Sequence, residues 1–369
     1  MAAARRVVLI TGVNGYIATH TAAAFLRAGF TVRGTVRTRT PALVQTLERT
    51  LEPYHDGDRL EVVEVPDIGV KGAFDRAVEN VHAIAHLASP VSTTTTDPGP
   101  LLRAAISGTT SLLTSAFAAA RRDPGALQSV VFMSTISAIF SPDQPPGHTF
   151  TESDWNDHAK RETARLGASV DGYTLYQASK TAAERAFWDA AAKEEQELSQ
   201  PLGFGMVALC PALTLGPPLY LPQPISRLSM RVRDIHALFH GTAPVPAFSP
   251  VRSTFVDVRD VADCVVATVQ QHRGASQPLR EERYLLVGNE EPVSPREIAD
   301  VLRKRFPERD DRIPVGGGTA EEEAEVLNGW RFDAGKAGGK LLGERGWVGF
   351  EVSVVESAEA FVRLEGRSS

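Results

Sequence analysis

Val7-Val8-Leu9-Ile10-Thr11-Gly12-Val13-Asn14-Gly15-Tyr16-Ile17-Ala18 decides the fold. Four consecutive apolar residues without the i, i+3, i+4 spacing of an amphipathic helix read as a strand buried on both faces, and such strands belong to parallel sheets. Beyond the glycines, Ile17, Thr21, Ala24, Phe25 and Ala28 fall on one helical stripe that stops at Gly29. Strand, glycine turn and helix thus open a β-α unit. A dinucleotide pyrophosphate needs backbone approach unobstructed by side chains, together with N–H groups at a helix N-terminus. Gly12 and Gly15 meet the first need and the helix start meets the second. The turn carrying Gly12, Asn14, Gly15, Tyr16 and Ile17 is therefore the candidate phosphate cradle. Ala18 stands where a third glycine is usual, a position that serves helix–strand packing and can take a methyl.

Outward from this turn the pattern repeats. Thr31–Val36, Leu60–Val65, Val81–Leu87, Val130–Ser134 and Met206–Leu209 read as strands. Leu43–Leu51, Gly72–Val78 and stretches near Leu101–Ala120 and Tyr176–Leu198 read as helices. Repeated β-α units predict an α/β protein with a doubly wound parallel sheet of Rossmann type. After Gly216 the composition changes. Residues 216–247 hold Pro217, Pro218, Pro222, Pro224, Pro244 and Pro246 and suggest irregular packing. Val256–Val269 reads as a helix with one valine-rich face, and Tyr284–Val287 as a buried strand. Ser294-Pro295-Arg296-Glu297 announces another helix through a capping box with proline at its first position, and a last helix ends near Leu364. The expected division is a nucleotide-binding domain over 1–215, to which 256–289 return, and a smaller α-rich substrate-binding part from 216–255 and 290–369. Glycine-rich Val315–Thr319 and acidic Glu321–Glu325 suggest an exposed loop and a helix start.

Composition excludes several classes. With 43% hydrophobic and 23% charged residues among 369, neither wholesale disorder nor a fibrous repeat fits. Lys plus Arg is 39 against 45 for Asp plus Glu, so the net charge is −6. The basic excess that marks a nucleic-acid or membrane-surface partner is missing, and neither partner is expected. Two cysteines, Cys210 and Cys264, are too few for a disulfide framework and suit a reducing compartment. No apolar run reaches membrane-spanning length, and the asparagines lie outside glycosylation sequons. A cytoplasmic protein is the expectation.

The second strand bears on the cofactor. An NAD site usually offers an acidic residue to the ribose about 20 residues beyond the glycines. From Gly12 to Leu47 there is none. Arg33, Arg37 and Arg39 stand there instead, and Arg37 directly follows the strand's last apolar residue, Val36. A guanidinium fork at that point matches a 2′-phosphate, which predicts NADP(H). Further on, Tyr176 and Lys180 are one helical turn apart and share a face. A phenol titrating near 10 becomes a useful acid–base group when an ammonium steadies its ionised form. Ser134 and Thr135 end a buried strand at the sheet edge where open α/β folds bind ligands, and a hydroxyl there can donate to a carbonyl oxygen. His82/His86 and His236/His240 are each spaced i, i+4, but no third ligand accompanies either pair, so no metal is expected. Asp257-Val258-Arg259-Asp260 reads as structural charge at a helix start, with Asp257 as N-cap. Trp155 and Trp188 read as packing anchors.

Taken together, the glycine turn, the strand-end hydroxyl and Tyr-x-x-x-Lys resemble the extended short-chain dehydrogenase/reductases of the NAD-dependent epimerase/dehydratase family. The detail is most similar to the branch of dihydroflavonol 4-reductase, cinnamoyl-CoA reductase and methylglyoxal/aldehyde reductase. The segments that carry the resemblance are 11–18, Gly34-Thr35-Val36-Arg37, Asp67-Ile68, His86-Leu87-Ala88-Ser89-Pro90, 176–184, 210–217, 256–262 and 282–288. The resemblance implies Tyr176 as proton donor, Lys180 as its partner and a ribose ligand, and Thr135 as the carbonyl-binding hydroxyl. It further implies Asp67 and Ile68 at the adenine, Leu87, Ala88 and Ser89 beside the ribose and nicotinamide, and Pro211 through Leu213 against the nicotinamide. The departures are Ala18, threonine at 135 where serine is commoner, and Ser111 where relatives often have asparagine. The expected activity is an NADPH-dependent carbonyl reductase acting on a small-molecule ketone or aldehyde, as monomer or homodimer. A nucleotide-sugar epimerase or dehydratase holding NAD, and a non-catalytic NADP-sensing regulator, are the alternatives. Specificity is expected from 90–100, 136–170 and 216–247.

Overall fold

The computed structural model describes residues 6–89, 97–242, 254–271, 282–288, 293–315 and 330–366. In chain order its elements are β1 (Val7–Ile10), α1 (Tyr16–Arg27), β2 (Thr31–Val36), α2 (Pro41–Leu51), β3 (Leu60–Glu64), β4 (Ala83–His86), α3 (Pro98–Arg122), β5 (Ser129–Met133), β6 (Thr149–Phe150), α4 (Asp157–Leu166) and α5 (Gly172–Leu198). There follow β7 (Gly205–Pro211), β8 (Leu213–Leu215), α6 (Met230–His240), β9 (Phe255–Asp257), α7 (Val258–Gln271), β10 (Glu282–Leu286), α8 (Pro295–Arg305), β11 (Arg331–Phe332) and α9 (Phe350–Glu365). Two compact units result. One holds Met1–Asp143, Glu152–Cys210 and Ala262–Tyr284, the other Gln144–Thr151, Pro211–Val261 and Leu285–Ser369.

The first unit is built on a seven-stranded sheet of order β10-β7-β5-β4-β1-β2-β3. β1 pairs in parallel with β2 (Val8↔Val32) on one side and with β4 (Val8↔Ala83) on the other, and β4–β5 and β5–β7 are parallel too. The chain therefore runs outward from β1 in one direction and restarts beside it in the other. A fold of this kind opens its crevice at that reversal, outside the carboxyl ends of the strands. Leu9, Ile10, Ile84, Val130 and Val207 are buried without exposed surface, which is why these strands read as unbroken apolar runs rather than alternating ones. Each such side chain contributes roughly 1.5–3 kcal/mol by leaving water. Phe25 and Phe30 meet edge to face, with centroids 5.1 Å apart, and tie α1 to the start of β2.

The stretch 72–78 is not the expected helix. Its apolar residues face the core, with Phe74 and Val78 buried, but the backbone makes a series of turns. Ala73 N–H reaches Val70 O at 3.0 Å and Asp75 N–H reaches Gly72 O at 3.1 Å, three-residue closures that give no continuous ladder. Gly72 (φ +80°) and Asn80 (φ +57°) interrupt it at both ends.

In the second unit, Val256 and Asp257 belong to β9, and the predicted helix begins only at Val258. Asp257 accepts the Arg259 N–H at 2.8 Å, a cap-like contact, and its buried carboxylate also takes the Arg259 guanidinium and the Ser353 hydroxyl. The proline-rich stretch encloses a true helix, α6. Val232, Ile235, Leu238 and Phe239 are its buried face, and Gly241 (φ +64°) ends it. The capping box at Ser294 is formed in both directions: Ser294 N–H donates to Glu297 at 2.7 Å, and Glu297 N–H donates to Ser294 Oγ at 3.3 Å. The expectations for 90–96, 243–247 and 316–325 lie outside the described residues.

Candidate active site

Backbone geometry makes the glycine turn. Gly12 has φ +68°, and a Cβ there would stand 3.3 Å from Cα and Cβ of Ala88. A Cβ on Gly15 would stand 3.1 Å from Gly12 O, the acceptor of the Gly15 N–H at 2.8 Å. Gly34 on β2 is more restrictive, since its Cβ would fall 2.5 Å from a Val13 methyl. Thr35 steadies the turn by accepting the Gly12 N–H at 3.1 Å. Gly15 is the N-cap of α1 and no side chain caps that end, so it presents backbone and dipole to an anion. Asn14 and Gly15 are exposed on the rim, while Tyr16 and Ile17 are partly covered. The cradle suits a pyrophosphate.

Thr11 links this turn to β4. Its Oγ1 accepts the N–H groups of Leu87 (3.0 Å) and Ala88 (2.9 Å), so its own proton goes to His86 Nδ1 at 2.9 Å. That assigns the His86 proton to Nε2. Burial, reinforced by the Lys180 charge, pushes the His86 pKa down to about 3, and the ring is neutral. With their N–H groups committed, Leu87 and Ala88 have only carbonyls and side chains left to offer a ligand. His82 accepts the Val7 N–H at 3.1 Å. On extended chain the two histidines are about 13 Å apart, too far for one ion.

The structure separates the three arginines Arg33, Arg37 and Arg39. Arg33 is bound to Glu61 at 2.7 Å and to the carbonyls of Ala77 (3.0 Å) and Glu79 (2.7 Å). Arg39 donates to Val62 O at 3.0 Å. Arg37 is exposed, and among the described residues no hydrogen bond or ion pair engages its guanidinium. Asp67 accepts the Gly69 N–H at 2.8 Å, and Ile68 fills the space over Gly108, where a Cβ would come within 2.9 Å. Ser111 donates to Val70 O at 2.6 Å and fastens α3 to the 68–80 segment.

At the end of β5, two adjacent hydroxyls go opposite ways. Ser134 donates to Glu184, a fully buried carboxylate on α5. Thr135 Oγ1 accepts the Ser137 N–H at 3.2 Å, and its hydroxyl is close enough to the Tyr176 phenol to influence its ionisation. Ser134 is thus committed to the buried carboxylate, while Thr135 lies on the Tyr176 side. Tyr176 lies one turn inside α5, whose N-terminus at Gly172 is capped by Asp171, rather than at the helix start. Burial pushes the Tyr176 phenol above its usual value, opposed by the Thr135 hydrogen bond. Burial also pushes Lys180 down to about 8, against the pull of Glu184. Lys180 Nζ donates to Met133 O at 3.0 Å and lies over the Phe132 ring. Ile68, His86, Ala88, Ser89, Met133 and Lys180 border one crevice.

Behind this corner is a buried group that the sequence reading missed. Arg283 binds Glu184 at 2.6 Å and donates to Asp154 O at 2.8 Å, and Trp188 Nε1 approaches Glu184 at 3.4 Å. Trp155 takes the Arg283 guanidinium on its ring at 3.8 Å, so it is a packing anchor that also holds a cation. One signal was available. Tyr176, Lys180 and Glu184 follow at steps of four, which extends the reactive face of α5 to a carboxylate. In the second unit Pro211 closes β7, and Leu213 opens β8, its N–H donating to Thr254 O at 3.2 Å.

Comparison with known proteins bears on this site. Residues 8–280 match the model of the NAD dependent epimerase/dehydratase family. An uncharacterized oxidoreductase of Schizosaccharomyces pombe is 31% identical over 84% of each chain. The NADPH-dependent methylglyoxal reductase of Saccharomyces cerevisiae is 25% identical over 98% of this chain and 99% of its own. Among solved structures, Candida albicans Gre2 in complex with NADPH superposes with a TM-score of 0.78, at 25% identity, over 97% of this chain and 99% of that one.

Proposed function

The chain belongs to the NAD dependent epimerase/dehydratase family, and from there we propose that it reduces a ketone or aldehyde to the alcohol. It is an NADP-dependent oxidoreductase. When bound, NADPH supplies the hydride that goes to the carbonyl carbon. Gly12 and Gly15 would admit its pyrophosphate to the N-terminus of α1, and Arg37 would take the 2′-phosphate. Asp67 and Ile68 would border the adenine, with Leu87, Ala88, Ser89 and Lys180 along the ribose and nicotinamide and Pro211 through Leu213 against the ring.

The observation that carries the reading is the placing of two neighbouring hydroxyls, Thr135 and Tyr176, with a buried lysine one helical turn beyond the tyrosine. Thr135 Oγ1 already accepts the Ser137 N–H, so its proton is left for an oxygen in front of it. A carbonyl oxygen there meets two donors preorganised for the negative charge it gains. The raised pKa of Tyr176 keeps the phenol protonated at neutral pH, as the acid of a reduction must be. After the proton moves, the Lys180 ammonium steadies the phenoxide. The unengaged Arg37 and the intact Tyr–Lys pair weigh against the epimerase and regulator alternatives.

Among the described residues no helix is long and apolar enough to cross a membrane. Both cysteines are buried free thiols, which supports a reducing, cytosolic setting. The substrate is expected from a panel of ketones and aldehydes followed by NADPH absorbance, with NADH in parallel. Tyr176→Phe is expected to lower turnover roughly 10²–10⁴-fold while NADPH still binds. Wild-type turnover in that variant would remove the assignment.

A further inference from the structure

We propose that His236, His240 and Glu365 form a binding site for a divalent transition-metal ion of zinc type, where α6 meets the end of α9. The two histidines lie one turn apart on α6 and project from the same side. By themselves they are an incomplete pair. The fold adds Glu365, the last residue of α9 and 129 positions beyond His236. Nε2 of His236 and Nε2 of His240 each stand 3.1 Å from the same oxygen, Glu365 Oε1.

Tetrahedral zinc with nitrogen and oxygen ligands near 2.0–2.2 Å sets neighbouring donors about 3.3 Å apart. The two nitrogen–oxygen separations are within a few tenths of an ångström of that spacing, and all three donor atoms lie within 4.8 Å of one another. His236 Nε2 donates a hydrogen bond to the carboxylate, and the half-buried His240 turns its Nε2 to the same oxygen.

Aromatic packing holds the rings in place. His236 meets Phe361 edge-on with centroids 4.9 Å apart, and His240 meets Phe239 at 5.3 Å. Arg309, whose guanidinium lies 4.2 Å over the Phe239 ring, is the cation that opposes a dication here. The site therefore depends on directed bonds more than on net charge. Two imidazoles and one carboxylate suit zinc better than calcium or magnesium, whose ligands are oxygens, and leave a fourth position for water.

The test uses the full chain without an affinity tag, stripped with a chelator, dialysed and titrated with zinc chloride in a calorimeter. One equivalent is expected to bind, and cobalt in its place is expected to develop the visible absorption of a nitrogen-ligated ion. His240→Ala and Glu365→Gln should each weaken zinc by at least the roughly tenfold that even outer-sphere partners contribute. Zinc should raise the melting temperature of the unmodified chain and not of either variant. NADPH-dependent turnover, unchanged in both variants, checks that they fold. The proposal is overturned if no equivalent binds, or if zinc binds the folded variants as tightly as the parent.

Discussion

The nucleotide turn and the acid–base corner stand at carboxyl ends of strands in one sheet, yet they are made differently. The turn is a matter of excluded side chains: a methyl on Gly34 would strike Val13, and one on Gly12 would press on Ala88. Its contacts join β1, β2 and β4, and most are backbone. The corner is a matter of committed side chains. Glu184 holds Ser134 and is itself held by Arg283, 99 residues further along the chain, which leaves Thr135 alone to face Tyr176. What separates the two is substitutability. A turn defined by empty space can be spoiled by an added atom, whereas a corner defined by pairing can be spoiled or redirected by removing one.

The largest effect expected from this contrast is at the two hydroxyls. Thr135→Val keeps the shape and removes the donor, and kcat/KM should fall roughly 10²–10³-fold, as when one donor to a developing oxyanion is lost. Ser134→Ala should leave kcat within a small factor. It should instead cost about 1–3 kcal/mol of stability in a denaturant titration, because Glu184 loses a partner in a buried setting. If Ser134→Ala were the catalytically damaged variant and Thr135→Val the unstable one, the sorting of the hydroxyls would be reversed.

A smaller effect separates the arginines near the turn. Hydrogen bonds to a charged group are worth about 1.5–3 kcal/mol, so Arg37→Gln should raise the KM for NADPH roughly 10–100-fold and leave that for NADH alone. Arg33→Gln should change neither, since Arg33 is engaged by Glu61 and two backbone carbonyls. Equal responses to both cofactors in Arg37→Gln would detach that residue from the 2′-phosphate.

How legible each region was in the sequence follows from the same difference. β1, the glycine turn, α1 and β2 can be read along the chain because their constraints are local: apolar runs, glycines at fixed offsets and a helical stripe. Thr31–Val36 is a strand over the same residues in sequence and structure. The stretch 72–78 misled because the burial of Phe74 and Val78 imitates a helical period, while Gly72 and Asn80 hold left-handed backbone that no period reveals. α6 was hidden by prolines that flank it without entering it. Tyr176 and Lys180 could be seen as a spacing and Thr135 came from the resemblance, but the commitment of Ser134 to Glu184 and Arg283 could not be read, because those partners lie far along the chain. Glu365 is the extreme case, since no local pattern connects it to His236.

The smallest effect tests the titrating side of the contrast. Burial holds Lys180 near 8 and raises Tyr176, so as the pH passes through about 8 the phenol keeps its proton while the lysine loses its charge. The site then retains its acid but lacks the cation that steadies the phenoxide left behind. Reduction measured as kcat/KM should decline above about 8, by no more than roughly tenfold per pH unit for one ionisation. Stability should respond with the opposite sign. Between about 8 and the ordinary lysine value the unfolded chain binds more protons than the folded one, so this group's contribution to stability grows with pH. Rate and fold can therefore be separated in one pH series by following turnover and circular dichroism together. A decline in rate with the fold intact assigns the effect to Lys180. A decline that tracks unfolding, or a rate that stays level to pH 9, would remove the lysine from the proton-transfer step and leave the corner resting on its two hydroxyls.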